Sequence, residues 1–289
     1  MTSPVITVID AASKSPVNVT ALRGNIHVIE GSGGNIAVFT GKEGKLMVDA
    51  GISVSEMKIK EALAGISDAP LKYLINSHWH FDHASGNEWI HNAGATIIAH
   101  KNTKKHLSVD TRVEDWNYTF KAAPQGALPT VLVDTSHTMH FNDETITINH
   151  YPPAHTDGDI SIYFQHADIL HTADTWWNGY YPFIDLNTGG NIYGMIAAAN
   201  ANIKRVTDKT IIIPGHGPIG NKAQLKEFVD MLVDITSKVE KLKKQGKTLQ
   251  ETVAAKPTAK YDENGAILSS PETSLQTLFI EAFHKEIFL

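Results

Sequence analysis

The sequence predicts an α/β protein in which β-sheets stack as a sandwich and are covered by helices. Three observations carry that expectation. Strand and helix signals come in blocks, strands then helices then strands then helices, which suits a covered sandwich better than a strict βαβ array. The longest apolar runs are strand-sized, residues 211–214 being one, and none approaches the ~18–20 residues of a membrane span. At 42% hydrophobic and 19% charged, the 289 residues can bury a sizeable core.

In chain order, residues 5–9, 17–22, 26–30, 36–40 and 46–49 read as strands separated by glycine-containing turns. Ser53-Val54-Ser55-Glu56 has capping-box spacing, and Ile59, Ala62, Leu63 and Ile66 share a face of the helix expected after it. Residues 71–76 read as a buried strand, and Ser85-Gly86-Asn87-Glu88 is a second capping-box pattern ahead of a short helix around Trp89. The pattern weakens over 101–129, which predicts either a lid or binding loop, or a short helix with an ordinary loop. Strands resume over 130–171, including 131–133, 145–150, 160–164 and 169–171. A helix is expected over 191–206, a strand over 210–214, and a long helix over 222–244. The last has an apolar stripe of Leu225, Phe228, Val229, Leu232, Ile235, Val239 and Leu242. From 249 the tail reads as two small helices broken by Pro257 and Pro271. The expected organisation is a catalytic core over 1–220, with a helical part over 221–289 packed on the same domain.

The chain has 15 His and no Cys. Without cysteine there is no disulfide framework, thiolate zinc finger, cysteine nucleophile or cysteine metal ligand, so any metal is expected to be held by nitrogen and oxygen. A net charge of −6 offers no phosphate-neutralising surface, which argues against a nucleic-acid partner and for a small-molecule substrate. The opening residues lack the basic start and apolar stretch of a signal peptide. The chain as it stands is therefore expected in the cytoplasm, or in the periplasm or outside the cell if a leader has been cleaved. Oligomeric state is not legible.

The strongest signal is Ser77-His78-Trp79-His80-Phe81-Asp82-His83-Ala84, just after the strand over 71–76. In extended chain alternate residues face one way, so His78, His80 and Asp82 can converge while a following turn redirects His83. Three His and one Asp at one chosen set of spacings would arise by chance in ~0.2% of sequences of this composition. Four donors so close together do not serve one tetrahedral ion comfortably and point to two neighbouring ions. Further donors are expected at the ends of other strands beside small or turn-forming residues. The candidates are His155 in Pro153-Ala154-His155-Thr156-Asp157-Gly158, Asp174 in His171-Thr172-Ala173-Asp174-Thr175, and His216 in Pro214-Gly215-His216-Gly217-Pro218.

This set, with Val48-Asp49-Ala50-Gly51 as an early Asp-x-Gly turn, resembles the metallo-β-lactamase superfamily of dinuclear metal hydrolases over about residues 25–220. The resemblance implies an αβ/βα four-layer sandwich, two mixed sheets flanked by helices, with the metals at one edge. It implies one ion held by His78, His80 and His155, a second held by Asp82, His83 and His216, and Asp174 bridging. The expected cofactors are two zinc ions, with iron or manganese as alternatives. Asp49 is expected below the metals in support, whereas Asp157 and Asp159, beside His155, are placed to fix its imidazole but read more readily as exposed turn carboxylates. The ten other His read as surface or hydrogen-bonded residues.

The implied chemistry is hydrolysis of a carboxylic acid derivative, an ester, thioester, lactone or β-lactam, by a metal-bridging hydroxide that Asp82 orients. Asp at 174, where zinc β-lactamases of another type use Cys, is similar to thioesterases and lactonases of the superfamily. An all-His/Asp β-lactamase is the nearest alternative. It would need a cation for the substrate carboxylate, for which Lys101, Lys104 or Arg112 are the candidates. Phosphodiester or RNA cleavage, an iron-dependent sulfur dioxygenase and a metal-stabilised binding module are more distant alternatives. Trp176, Trp177 and Tyr181, close to Asp174, are expected to line an apolar substrate pocket, and Trp79 and Phe81 are equally well read as core.

Overall fold

A computed structural model describes residues 3–262 together with Ile280, Glu281 and His284. The chain opens with α1 (Pro4–Lys14), β1 (Asn18–Ala21), β2 (Ile26–Glu30), β3 (Ile36–Gly41), β4 (Gly44–Val48), α2 (Glu56–Ile66), β5 (Leu71–Asn76), α3 (Phe81–Ala84), α4 (Asn87–Asn92), β6 (Thr96–His100) and α5 (Lys101–Leu107). It continues through β7 (Thr111–Val113), β8 (Tyr118–Phe120), β9 (Val131–Val133), β10 (Ser136–Phe141), β11 (Glu144–His150), β12 (Ile160–Phe164), β13 (Ile169–Trp177), α6 (Ile192–Arg205), β14 (Ile211–His216), α7 (Lys222–Lys244) and α8 (Leu249–Ala254).

Seven strands form one sheet in the order β1-β2-β3-β4-β5-β6-β9, antiparallel as far as β4 and parallel beyond it. Five form the other, β10-β11-β12-β13-β14, antiparallel except for the parallel β13/β14 pair. Both sheets are mixed. Side-chain alternation explains the layering. In β3, Ala37 and Phe39 point into the core between the sheets, where they meet Phe141, Ile148, Ile162 and Phe164 of the second sheet. Ile36 and Val38 point the other way, against Ile59 and Leu63 of α2 and Ile90 of α4. On the far side, Leu170 and Ile212 pack against Met195 and Ala198 of α6 and Leu225, Phe228 and Leu232 of α7. The order is therefore helix, sheet, sheet, helix, and strands buried on both faces read as continuous apolar runs.

Three expectations about elements are corrected. Residues 5–9 form part of α1 and no strand. Their β-branched side chains disfavour helix by only a few tenths of a kcal/mol each, and local caps and docking outweigh that. The Ser3 hydroxyl accepts from Val5 N–H, and Pro4 occupies the first turn. The helix is clasped at both ends: Ser3 Oγ donates to the Trp116 carbonyl at 2.6 Å, and Lys58 Nζ donates to the carbonyls of Ala12, Ser13 and Ser15 at 3.0, 2.7 and 2.6 Å. Neither capping box forms. Residues Ser53–Ser55 make a 3-10 turn ahead of α2, and the Ser85 hydroxyl accepts from Ser53 N–H at 2.9 Å, so it is engaged across the fold and Gly86 caps α4. The 101–129 segment is α5 followed by the β7/β8 hairpin and a 3-10 turn. The second of the two tail helices falls on residues outside the described ones. Among the described residues no helix is long and apolar enough to cross a membrane.

One pair outside the donor cluster makes stability pH-dependent. His100 and His150 stack with ring centroids 3.7 Å apart. His100 accepts from Asn102 N–H at Nδ1 and donates from Nε2 to the Asp134 carbonyl, a pattern only the neutral ring satisfies. Burial, and then the neighbouring His150, push its pKa down to about 4. Its folded value lies below the unfolded one of about 6.5, so the unfolded chain binds the proton first. Stability present at neutral pH is expected to fall as the pH drops from about 6.5 to about 4. Denaturant titrations at pH 7 and pH 4 should show a smaller loss in His100→Asn than in the parent; equal losses would refute the assignment.

Candidate metal centre

The donor residues come from both sheets. β5 ends beside Ser77, the chain bends over Ser77, His78 and Trp79 where the sequence suggests extended alternation, returns to extended backbone at His80, and α3 then presents Asp82 and His83. The second sheet supplies His155 from the loop between β11 and β12, Asp174 from β13, and His216 from the end of β14. β13 is bulged around Ala173, which sits in the left-handed region (φ 46°) and turns Asp174 toward the cluster. Asp49, just past β4, is also left-handed (φ 67°). Such non-glycine positions cost on the order of 1–3 kcal/mol and persist where surrounding bonds over-determine them.

The structure brings all seven predicted donors together. Three overlapping groups could each hold a metal ion: His78/His80/His155, His78/His83/Asp174 and Asp82/His83/His216. His80 Nδ1 lies 3.1 Å from His78 Nε2 and 2.8 Å from His155 Nε2. His216 Nε2 lies 3.4 Å from His83 Nε2 and 3.2 Å from Asp82 Oδ2. Asp174 reaches both sides, Oδ1 being 3.1 Å from His83 Nε2 and Oδ2 being 3.4 Å from His155 Nε2 and 3.3 Å from His216 Nε2.

What aims these nitrogens is the bond made by the opposite side of each ring. His83 Nδ1 donates to Asp49 Oδ2 at 2.8 Å, and His155 Nδ1 donates to the Phe183 carbonyl at 2.7 Å. His80 Nε2 donates to Asp185 Oδ2 at 3.0 Å. Ser77 Oγ donates to Asp49 Oδ2 at 2.7 Å, which leaves it to accept from His78 Nδ1 at 3.0 Å. In their neutral form these four rings would keep the free lone pair facing the cluster, the arrangement that metal-binding imidazoles need. Asp185 is a functional residue that sequence reasoning missed; its other oxygen caps the Leu186–Thr188 turn. Asp159, read as exposed, is buried, and its carboxylate accepts from His155 N–H and Thr156 N–H at 2.7 and 2.9 Å, holding the loop backbone and not the imidazole. Asp157 is half-buried, 2.8 Å from His106 Nε2. The Asp49→Asn variant is expected to bind metal about 10- to 100-fold more weakly, read by competition with a chromophoric chelator; unchanged affinity would contradict this reading.

Electrostatics agree with the donor set. Burial opposes the charge on Asp174, but His83, His216 and His155 outweigh it and hold the carboxyl well below its ordinary range. Burial likewise opposes charge on His216, while Asp174 and Asp82 push it up to about 9. The cluster thus attracts positive charge. Asp174 Oδ1 is buried without a hydrogen-bond donor, the condition of a carboxylate oxygen suited to an ion. Five imidazole nitrogens and two carboxylates, without sulfur, fit divalent zinc, iron or manganese.

Close packing leaves no slack around these donors. A Cβ at Gly34 would lie 2.1 Å from Cε1 of His83, and one at Gly215 would lie 1.9 Å from Oδ1 of Asp174.

The cavity over the cluster is lined on its donor side by His80, Asp82, His155, Asp174 and His216. Of the aromatic residues expected there, only Trp177 is present, its ring 4.2 Å from that of His216. Trp176 is fully buried in the core shared with α7, and Tyr181 donates to Asp262 Oδ1 at 2.8 Å in the tail. Phe81, Trp116 and Phe183 complete the apolar wall, while Trp79 is core. Lys101, Lys104 and Arg112 do not line the cavity; Lys101 pairs with Asp134, and Arg112 with Glu114.

A family model described as the metallo-beta-lactamase superfamily matches residues 29–220. The chain is 28% identical over 148 residues to a hydroxyacylglutathione hydrolase of Pelagibacter ubique, an alignment covering 50% of this chain and 52% of that protein. It spans only about half of that relative's length. Among solved structures it is similar to the sec-alkylsulfatase Pisa1 from Pseudomonas sp., with TM-score 0.67 at 14% identity over 94% of this chain and 50% of that one. A metallo-beta-lactamase of Cronobacter sakazakii gives TM-score 0.66 at 17% identity over 83% and 100%. At such identities the structures speak for the fold, two facing mixed sheets between helices. The extent of the family match, with the donor cluster inside it, establishes that the chain belongs to the metallo-beta-lactamase superfamily.

Proposed function

We propose that this protein is a metal-dependent hydrolase of carboxylic acid derivatives, esters, thioesters, lactones or β-lactams, working with two divalent ions, zinc first. In this reading His78, His80 and His155 would hold one ion and Asp82, His83 and His216 the other, with Asp174 available to both. The observation that carries it is the reach of Asp174 Oδ2 to both His155 and His216, at 3.4 and 3.3 Å. When bound, such an ion pair supplies deprotonation of water at neutral pH and Lewis-acid polarisation of the scissile carbonyl.

The chain's own residues do the rest. Burial raises the Asp82 pKa, but His83 and His216 overcome this and hold it at about 2, so Asp82 is a carboxylate at neutral pH. It lines the cavity and is placed to accept a hydrogen bond from the attacking water and orient it. Asp49, Asp185 and the Phe183 carbonyl keep the imidazoles aimed during turnover. Phe81, Trp116, Trp177 and Phe183 limit water around the scissile bond. The named activity of the Pelagibacter relative favours the thioester among these bonds. No Lys or Arg lines the cavity among the described residues, which disfavours phosphodiesters and weakens the β-lactamase reading. Metal analysis of the purified protein, combined with a panel of thioester, lactone, ester, β-lactam and phosphodiester substrates, tests the proposal. Turnover restricted to phosphodiesters would overturn it.

A further inference from the structure

The cavity over the donor cluster has a volume of about 410 Å³ and is chemically divided. One end holds the carboxylates and imidazoles. The rest of the lining comes from α1, through Val5, Val8 and Ala11, and from Trp116 and Phe183, whose rings stack 4.5 Å apart and lie 4.9 and 6.1 Å from that of His80, so they run from the donors toward α1. Val8 remains 42% exposed although it faces this apolar space. The clasp by Ser3 and Lys58 holds α1 in place as a wall. A charged substrate group laid against this wall would lose hydration with no described Lys or Arg to pair with it.

We infer that α1 is the specificity wall of the site and selects substrates with an uncharged apolar chain, which lies between Val8 and the Trp116/Phe183 pair while the scissile group sits at the donor end. Only the last clause rests on the proposed acyl chemistry. A volume of this size is that of a small-molecule pocket, and its continuity with the donor cluster puts the chain and the reacting group in one ligand.

The test titrates the metal-loaded protein with acetamide, butanamide, hexanamide and octanamide, followed by tryptophan fluorescence, since Trp116 and Trp177 line the cavity. Each methylene taken from water is expected to tighten binding by about threefold to fourfold. Val8→Asp is expected to flatten the series. Ile6→Asp, at a 46% exposed position that does not line the cavity, is expected to keep the parent's slope. Should Val8→Asp fail to fold, Ala11→Trp fills the same space and is expected to lower octanamide affinity at least about tenfold. A flat series in the parent, an unchanged slope in folded Val8→Asp, or glutathione binding as tightly as octanamide would each overturn the inference. The expected slope together with no hydrolysis of any acyl substrate would uphold the wall and overturn the proposed reaction.

Discussion

Replacing Asp174 by Ala is expected to lower turnover by about three orders of magnitude or more and to reduce the bound metal below two ions per chain. Asp174 lies within 3.4 Å of donors in both outer groups, so its loss unlinks the cluster and does not merely weaken one side. It also removes the carboxylate that most strongly opposes burial at His83 and His216. Asp174→Asn keeps the shape and loses the charge, and should fall between the parent and Asp174→Ala in metal content. Elemental analysis beside turnover of the best substrate from the panel decides the matter. Two ions and parental turnover in Asp174→Ala would remove the basis of the dinuclear proposal.

The second large effect needs no change of donor. In Gly215→Ala the new methyl would lie 1.9 Å from Asp174 Oδ1 and 2.7 Å from the Ala173 carbonyl carbon and the Asp174 nitrogen. Two of those atoms are backbone, so either β14 or the bulge in β13 must move. A displacement of about 1 Å at a reacting centre costs on the order of a hundredfold in rate, and that is the expected loss. Gly65→Ala is the matched control. Gly65 lies in α2 with nothing within 4 Å of an added Cβ, so stability should rise by roughly 0.5–1 kcal/mol with turnover unchanged. Equal turnover in the two variants would show that packing around Asp174 is not what positions it.

The two halves of the site differed in how they could be seen in advance. His78, His80, Asp82 and His83 sit in one short run, and residues adjacent in sequence must be adjacent in space, so their grouping was legible directly. His155 follows a strand and His216 closes one, each beside small residues, which made them legible; Asp174 is legible by its small neighbours, but it lies at a bulge inside β13, which runs on to Trp177 beyond the strand expected over 169–171. Asp185 was not, because its contact with His80 spans 105 residues and no spacing encodes it. A signal did exist: an aspartate ahead of Leu186-Asn187-Thr188-Gly189 is turn chemistry. The layered fold followed from block order and buried strands. α1 runs against its local pattern, because Val5, Ile6, Val8 and Ile9 favour a strand while the partners that hold the helix, Lys58 and Trp116, are far along the chain. The pocket wall was misplaced for the same reason: it depends on docking, which no local pattern reports.

The donors divide between the sheets, His78, His80, Asp82 and His83 following β5, and His155, Asp174 and His216 belonging to the sheet opposite. The candidate centre is therefore a seam. Ions held there would act as rivets between two plates whose shared core lies deeper, and binding to the folded state alone would stabilise it by mass action. On the proposed reading, a slight parting of the plates at that edge, by heat or by chelation, is expected to stop turnover while the strands beneath remain paired.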